Sequence, residues 1–342
     1  MEIAVCSWSY RLSAERVAEE MSKCDVKNVH LALNPFVDPL AIVPGTAGET
    51  ENVAGTGGVD SLEKQRADIE EYLASGRWKV SSTLHNSRYD DYSTLESIRR
   101  TGGLVPDEHW EENRKIIADV AKLTAEWKSP YMMLHAGYIN PSDKAGHAKL
   151  TDRLKCVRDI CADVGVGLTL ETGQETADDL AEMLTNLPGV YVNFDPANMI
   201  LYGKGDPVKA VKTLAPWIRH IHIKDAKYAK MPGTWGEEVE WTKGEVNADA
   251  FIAALKEIGY DGCLAVDMRL AWLFGARALP FCVTFRGCCT IRGCARRHIA
   301  YKSARVVAYK PLLVLNGCCR ARRFVNPDLF FRTGCGRLGD LA

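Results

Sequence analysis

The sequence predicts an α/β protein whose main domain is a (β/α)8 TIM barrel, with eight parallel strands inside a ring of helices. Two observations support this fold class. Eight short apolar segments alternate along the chain with longer amphipathic segments. The body of the chain, residues 1–267, also has the length of about 250 residues that one such barrel needs. An open doubly wound sheet is disfavoured because a glycine-rich strand–turn–helix fingerprint is lacking.

Strands and helices follow each other in order. The predicted strands are Glu2–Cys6, Val29–Leu33, Trp78–Leu84, Tyr131–Leu134, Gly167–Glu171, Tyr191–Asp195, His220–Ile223 and Cys263–Asp267. The predicted helices are Ala14–Ser22, Leu62–Ser75, Glu108–Trp127, Lys144–Val164, Thr176–Leu187, Pro207–Leu214 and Ala248–Ile258. In the third of these helices, Ile116, Ile117 and Val120 recur at helical spacing and form one apolar face. No such helix follows the eighth strand, so the last helix is expected to be missing or replaced.

The formal net charge of −1 hides two parts of opposite composition. Residues 1–267 hold 29 Lys and Arg against 42 Asp and Glu, a net charge of −13. Residues 268–342 hold 12 Arg, 2 Lys, 2 Asp and no Glu, a net charge of +12, with seven of the twelve cysteines. We therefore divide the chain into a barrel domain, 1–267, and a basic, cysteine-rich tail, 268–342, and interpret each separately.

Four interpretations of the tail are open. A nucleic-acid-binding extension is disfavoured because arginine is scattered among apolar residues and cysteines. A zinc module on Cys288 or Cys289, Cys294 and His298 is disfavoured because no CxxC pair is present. A natural extra domain is the third interpretation. We prefer out-of-frame translation after a frameshift near codon 267, because the barrel pattern stops at one residue and acids almost vanish. The tail is then expected to be disordered.

Neither a secretory signal nor a membrane span is predicted. The first residues, MEIAVCSWSY, lack a basic region followed by a long apolar core. The longest apolar stretch, Leu270–Phe285, is shorter than the ~18 residues of a span and contains Arg277 and Pro280. The five cysteines of the body show no disulfide spacing, so we interpret them as reduced thiols. We expect a cytoplasmic protein without a membrane partner.

Polar side chains stand where the predicted strands end, which is the side of such a barrel that carries its chemistry. Glu171, Asp195, His222 and Asp267 lie at the ends of strands five to eight. Carboxylates that converge in this way repel each other unless a cation lies between them. We therefore predict a divalent metal held by these four residues. An oxygen-rich set favours Mn²⁺, with Mg²⁺ and Co²⁺ as alternatives, over structural Zn²⁺.

Other histidines and a lysine near strand ends have two interpretations each. His135 and His85 either contact substrate or belong to a hydrogen-bonded polar layer. Lys224 orients the metal ligands or a substrate hydroxyl, or forms an exposed ion pair with Asp225. His220 shares a strand face with His222 but lies one layer deeper, so it is predicted to be a hydrogen-bonded core histidine.

Three more side chains are candidates for contact with substrate. Trp8, at the end of the first strand, and Trp235 are predicted to wall the substrate, with core packing as the alternative for Trp8. Asn198 follows the sixth strand by a few residues and is a further candidate. No strong phosphate site stands out, which favours an unphosphorylated substrate.

Several motifs occur in order along the body. They are CSWSY (6–10), LHAG (134–137), LTLETGQET (168–176), NFDPANMILYGKGDP (193–207), HIHIKDA (220–226), GTWGEEVEW (233–241) and GYDGCLAV (259–266). With these motifs, residues 1–267 resemble the xylose-isomerase-like superfamily of sugar isomerases and epimerases. That superfamily also contains the endonuclease IV type of apurinic-site nuclease. The resemblance is specific to the superfamily but not to one substrate.

The resemblance implies proton transfer next to a carbonyl, through an enediolate, in a sugar or sugar phosphate. It places the family's metal ligands on Glu171, Asp195, His222 and position 267. Glu171 is then the catalytic acid–base group on one face of the substrate, and Asp267 the group on the other. Position 267 departs from the family, because Asp stands where the family has the longer Glu.

Two other functions stay open. An endonuclease IV-like nuclease holds three metals, Zn²⁺ in that case, and needs further histidines. Asn198 stands where such nucleases have His, and no Asp-x-His follows the seventh strand. The acidic body also repels a phosphate backbone, so we expect a small sugar as partner and no nucleic acid. A catalytically inactive, truncated barrel is the third hypothesis. A homo-oligomer is compatible with all three.

The frameshift interpretation makes a prediction about the gene. The other reading frames after codon 266 should encode Glu-Arg-Glu followed by an amphipathic helix, because members of the family commonly continue in this way. Sequencing and translating this region of the gene checks the prediction. The interpretation is refuted when neither alternative frame contains that sequence.

Overall fold

A computed structural model describes residues 1–9, 13–38 and 61–267 of the chain, and the structural statements below refer to these residues. The tail, 268–342, lies outside the described residues. The interpretation of the tail as out-of-frame and disordered, and the missing eighth helix, therefore stay predictions.

Eight parallel strands close into a barrel, as predicted. They are β1 (Glu2–Cys6), β2 (Asn28–Ala32), β3 (Lys79–His85), β4 (Tyr131–Leu134), β5 (Gly167–Glu171), β6 (Val190–Phe194), β7 (Ile218–Ile223) and β10 (Cys263–Val266). Successive strands of this set pair side by side, and β1 closes the barrel by pairing with β10 from Glu2–Cys263 to Val5–Val266. Two further strands, β8 (Asp225–Lys227) and β9 (Glu237–Val239), form a separate antiparallel hairpin after β7.

Helices connect the strands. They are α1 (Ala14–Lys23), α2 (Asn34–Val37), α3 (Leu62–Ala74), α4 (Leu95–Thr101), α5 (Trp110–Glu126), α6 (Lys144–Asp163), α7 (Ala177–Thr185), α8 (Pro196–Leu201), α9 (Pro207–Thr213) and α10 (Ala248–Glu257). The sequence did not predict α2, α4 and α8, whose four to seven residues give only weak periodicity, whereas α9, with seven residues, was predicted. Each helix in the described residues is too short or too polar to cross a bilayer.

Apolar side chains fill the layer between the barrel and its helices. Phe194 on β6 and Phe251 on α10 are both fully buried, and their rings stack with centroids 5.8 Å apart. A second, small cluster contains Ala4, Cys6 and Ala265. Small side chains on β1 and β10 leave room nearby for imidazole rings, which occupy the polar layer described below.

The Phe194–Phe251 contact predicts a large loss of stability when it is removed. Phe251→Ala should lower the free energy of unfolding by about 3–5 kcal/mol, because it leaves a cavity between α10 and the barrel. Urea unfolding followed by circular dichroism measures the change. Phe251→Leu keeps most of the volume and should lose much less. Equal unfolding midpoints for the Ala variant and the unmodified protein would contradict this account of the core.

Candidate active site

Three buried side chains from the ends of β5, β6 and β7 meet at one point. Glu171, Asp195 and His222 each offer a ligand atom within 4.8 Å of the other two. His222 Nδ1 lies 2.9 Å from Glu171 Oε1 and 3.6 Å from Asp195 Oδ2. Asp195 Oδ2 is buried and has no hydrogen-bond partner. Because an unsatisfied buried carboxylate oxygen is costly, and two acids face one imidazole, the donor set fits a divalent cation.

The backbone around Asp195 aims this free oxygen at the site. Asp195 Oδ1 caps α8 by accepting hydrogen bonds from the N–H groups of Ala197 (2.8 Å) and Asn198 (3.1 Å). The Thr172 hydroxyl donates to the Asp195 carbonyl and accepts from the Asp195 N–H, both at 2.9 Å. The Asn198 side-chain amide donates to the Thr172 carbonyl at 2.9 Å. Asn198, predicted to contact substrate, is therefore placed in the support of Asp195.

Asp267 follows β10 and faces the same histidine. Its Oδ2 lies 3.8 Å from His222 Nδ1, and its Oδ1 accepts a hydrogen bond of 2.9 Å from Trp8 Nε1. Burial raises the pKa of the Asp267 carboxyl, but the Lys224 and His222 charges outweigh burial and leave the pKa below its usual value. The carboxylate is ionised at neutral pH, although it is one methylene shorter than the family's Glu.

Glu171 lies between two imidazoles. Its Oε1 contacts His222, and its Oε2 lies 2.9 Å from His135 Nε2. Burial raises the pKa of Glu171, but the two histidines outweigh burial and hold the pKa well below its usual range. Burial lowers the pKa of His135, and the Glu171 carboxylate more than reverses this, so the His135 pKa is raised. His135 is thus placed beside the predicted catalytic carboxylate.

A cavity opens from this pair toward the loops that follow β3, β4 and β5. Its polar lining consists of Asp90, Tyr92, His135, Glu171, Glu175 and Tyr202, among others. Burial is the main cause that raises the pKa of Asp90 to about 6 and that of Glu175 to about 7. Near neutral pH these two acids are partly protonated, so they can both donate to and accept from hydroxyl groups. Asp90 and Glu175 were not predicted from the sequence, because neither residue stands at a strand end.

Two glycines allow the loops around the cavity to approach each other. Gly103 has a φ of +59°, and a Cβ on it would lie 2.3 Å from the His135 carbonyl oxygen. Gly137 has a φ of +98°, and its Cβ would lie 2.5 Å from the Gly102 carbonyl oxygen. In this arrangement the Gly103 N–H donates to Asp90 Oδ1 at 2.9 Å. Larger residues at either position would push the loop that carries Asp90 away from His135.

Lys224 points inward, toward the acids. Its Nζ lies 3.4 Å from Asp267 Oδ2 and 3.6 Å from Asp195 Oδ2 and from Glu238 Oε2. The alternative of an exposed ion pair with Asp225 is therefore wrong. Asp225 is buried and accepts instead from four backbone N–H groups, those of residues 226, 242, 244 and 246. It fixes the loop after the β8–β9 hairpin, while Lys224 offsets the negative charge of the site.

The other three predicted site residues, Trp8, Trp235 and His85, differ in how close they lie to His222 and the cavity. Trp8 packs edge-on against His222, with ring centroids 6.0 Å apart. Trp235 contacts the ring of Tyr202 at 5.0 Å between centroids, so it reaches the cavity through a residue of its wall. His85 bonds instead to Asn34, with 3.2 Å between the two nitrogens, and burial lowers its pKa to about 3. His85 thus belongs to a hydrogen-bonded polar layer, one of its two predicted interpretations.

His30, on β2, was missed by the sequence analysis and lies directly behind His222. Its Nδ1 is 3.2 Å from His222 Nε2 and 4.0 Å from Cys6 Sγ. Its ring meets that of His220 edge-on at 4.8 Å. His220 is a hydrogen-bonded core histidine, as predicted, with Nδ1 2.6 Å from Asn193 Oδ1. His30 stands inside a strand rather than at its end. The one sequence signal for a site residue there is a polar side chain between apolar neighbours.

A family model described as the xylose isomerase-like TIM barrel matches residues 51–278. The chain belongs to this family. A solved member, the xylose isomerase domain protein of Planctomyces limnophilus, is 27% identical with a TM-score of 0.64, over 78% of this chain and 90% of that one. The uncharacterized protein YihM of Escherichia coli (strain K12) is 34% identical over 85 residues. That match spans 24% of this chain and only 26% of YihM.

Two more distant structures share the fold. D-Psicose 3-epimerase from Clostridium cellulolyticum H10, solved with D-tagatose, is 15% identical with a TM-score of 0.54, over 78% of this chain and 84% of that one. A xylose isomerase-like TIM barrel protein from Mycobacterium smegmatis, solved in complex with magnesium, is 15% identical with a TM-score of 0.53. The match covers 78% of this chain and 89% of that one. At these identities the likeness concerns the fold alone.

The contact between His30 and His222 predicts an effect on metal binding. A ligand histidine that binds through Nδ1 carries its proton on Nε2, and His30 Nδ1 is positioned to accept that hydrogen bond. His30→Leu should therefore weaken Mn²⁺ binding by about 10–100-fold, measured by isothermal titration calorimetry.

A matched control distinguishes this effect from a general disturbance of the barrel. His85→Leu also places leucine at a buried histidine, but one that bonds to Asn34. We expect it to keep Mn²⁺ affinity within a few-fold. Equal losses of affinity in the two variants would show that His30 has no specific role.

Proposed function

We propose that this protein is a metal-dependent sugar isomerase or epimerase that moves a proton next to a carbonyl through an enediolate. The observation that carries the proposal is the buried cluster of Glu171, Asp195 and His222, with ligand atoms within 4.8 Å and one carboxylate oxygen lacking a hydrogen-bond partner. Membership of the xylose isomerase-like family supports it. The substrate class, a preference for Mn²⁺ and a cytoplasmic location are parts of this proposal.

The donor set suits a hard divalent cation. Glu171, Asp195 and His222 would hold it, with Asp267 as the fourth ligand; Mn²⁺ fits this set, and Mg²⁺ or Co²⁺ are alternatives. When bound, the cation supplies positive charge that stabilises the negative charge developing on the substrate oxygens. Lys224 Nζ, 3.4 Å from Asp267 and 3.6 Å from Asp195, offsets part of the negative charge of these two acids.

Glu171 is the proposed base on one face of the substrate. It is ionised, and it borders the cavity together with His135. His135 Nε2 holds Glu171 Oε2 at 2.9 Å, so the carboxylate has a defined direction, and the imidazole stabilises its charge. A carboxylate that is positioned in this way contributes about 10²–10⁴-fold to the rate of proton transfer.

Asp267 is the proposed acid–base group on the other face. Epimerisation removes a proton from one face and returns it to the opposite face, so it needs two such groups, whereas isomerisation needs one. Hydrogen bonds from Trp8 and Ser9 hold Asp267 Oδ1 at 2.9 and 3.3 Å and leave Oδ2 directed toward His222. This arrangement favours an epimerase.

The nuclease hypothesis gains no support from the site. Its three-metal centre needs a histidine at position 198, where the Asn198 amide is bonded to the Thr172 carbonyl. In the described part of the chain, both groups of side chains that approach metal-binding distance share His222, so they do not form separate centres. The inactive-barrel hypothesis is decided by the experiment below.

Replacing Glu171 tests the proposed function. Glu171→Gln should lower turnover by roughly 10²–10⁴-fold and weaken Mn²⁺ binding, because the amide is neither a base nor an anionic ligand. The assay incubates a panel of ketoses and aldoses in D₂O with Mn²⁺. Proton NMR then follows deuterium entry at the carbon next to the carbonyl. Glu182→Gln, an exposed position on α7, is the control with the same charge change.

The outcomes test the role of Glu171 and distinguish an active enzyme from an inactive barrel. Exchange in the unmodified protein and in Glu182→Gln, but not in Glu171→Gln, supports the assignment. Unchanged exchange in Glu171→Gln rejects Glu171 as the base. Tight Mn²⁺ binding without exchange of any sugar in the panel would indicate an inactive barrel.

A further inference from the structure

Two cationic side chains lie near one aromatic ring beside the cavity. The Arg99 guanidinium carbon lies 5.0 Å from the centroid of the Tyr138 ring, and Lys204 Nζ lies 5.9 Å from the same centroid. Arg99 comes from α4, Tyr138 from the loop after β4, and Lys204 from the loop after α8. Three connections of the barrel therefore converge in what we call the Arg99–Tyr138–Lys204 cluster.

The cluster adjoins the wall of the cavity that holds Glu171 and His135. Residues close in sequence to each member of the cluster line this wall. Ile98 precedes Arg99, Gly137 and Ile139 stand on either side of Tyr138, and Tyr202 lies two positions before Lys204. A molecule bound with its reacting carbon at Glu171 and extending along the cavity would bring its far end toward the two cations.

The positive charges of the cluster are not neutralised by the described residues. Within that part of the chain, neither the Arg99 nor the Lys204 side chain has a carboxylate within 4.0 Å, and Arg99 Nε is buried without a hydrogen-bond partner. By contrast, Arg88 and Arg153 are paired with Asp38 and Asp107. Burial and the charge of Arg99 lower the pKa of Lys204, which shows that the two cations repel each other.

The carboxyl groups of Glu175 and Asp179 attract Lys204 but lie more than 4.0 Å from it, and each accepts a hydrogen bond from another group. Asp179 accepts a hydrogen bond of 2.7 Å from the Thr176 hydroxyl at the start of α7. Glu175 Oε1 accepts from the Gly173 N–H at 3.0 Å, and burial raises its pKa to about 7, so part of its charge is absent at neutral pH. An external anion would relieve the repulsion between Arg99 and Lys204 and supply an acceptor for Arg99 Nε.

We propose that Arg99 and Lys204 bind an oxyanion at the end of the substrate remote from Glu171 and His222. The group is a phosphate or a carboxylate, both of which match the planar donors of arginine. This inference rests on the proposed function and narrows its substrate class to anionic sugars. The sequence alone favoured an unphosphorylated substrate, because Arg99 and Lys204 are far apart in the chain and share no motif.

Direct binding of inorganic phosphate tests the cluster without any assumption about turnover. Isothermal titration calorimetry on the full chain with bound Mn²⁺ should show saturable binding. Arg99→Gln and Lys204→Gln should each weaken it about 10-fold, the effect of losing one charge-assisted hydrogen bond. Arg100→Gln, an exposed neighbour on α4, is the matched control and should bind phosphate normally. No saturable binding, or equal affinity in all variants, overturns the proposal.

Substrate specificity distinguishes the two sources of the anion. D-Fructose, D-fructose 6-phosphate and D-fructuronate differ only at the sixth carbon, and the D₂O exchange assay gives KM and kcat for each. We expect the phosphate or the carboxylate compound to be preferred. Arg99→Gln should raise its KM about 10-fold and leave D-fructose unchanged. A preference for D-fructose, or equal effects on charged and neutral sugars, overturns the proposal.

The failure of this inference is distinguishable from the failure of the proposed function. Absence of both Mn²⁺ binding and exchange rejects the proposed function, while the phosphate titration, repeated on the metal-free chain, still decides whether the cluster binds anions. Mn²⁺ affinity, which should be equal in Arg99→Gln and the unmodified protein, confirms that the variant is folded.

Discussion

The structure depends on how the barrel accommodates three buried carboxylates at the ends of neighbouring strands. Glu171, Asp195 and Asp267 would repel each other in a medium of low polarity. His222 lies among all three, at 2.9, 3.6 and 3.8 Å. Lys224 adds a second positive charge from the same connection, within 3.6 Å of Asp195 and Asp267. These two groups offset only part of the charge, and one Asp195 oxygen still lacks a hydrogen-bond partner. The proposed cation would neutralise this remaining negative charge.

Hydrogen bonds from the surrounding polar groups hold the side chains of this cluster in place. Thr172 joins the ends of β5 and β6, so the carboxylates on those strands keep a fixed separation. His30 Nδ1 contacts His222 Nε2, while Trp8, in the turn after β1, donates a hydrogen bond to Asp267. The loops above add hydroxyl and carboxyl groups that suit a polyhydroxylated ligand. Fold and chemistry are coupled here, because parallel strands bring residues that are distant in sequence to one edge.

Most of the fold was predictable because strands and helices impose different periodicities on the sequence. The eight strands were found within one or two residues, since each is a short apolar segment between polar turns. The helices α2, α4 and α8 were not, because four to seven residues give only weak periodicity, although α9, which is as short as α4, was predicted. Glu171, Asp195 and His222 could be predicted because strand ends on one edge of a barrel must converge. His30, Asp90 and Glu175 could not, because their roles depend on side-chain contacts between strands and loops.

By itself, the sequence determined the parallel barrel, its acidic character and the strand ends at which the four residues of the proposed metal site stand. Those properties follow from local patterns and from the geometry of a closed sheet. Only the tertiary structure decided which contacts each polar residue makes. It placed Lys224 among the acids rather than on the surface, and it showed that the Asn198 amide bonds to the Thr172 carbonyl beside Asp195. It also brought Arg99 and Lys204 to one ring. The reason is physical: burial and pairing of charges depend on distances through space, which a linear pattern does not contain.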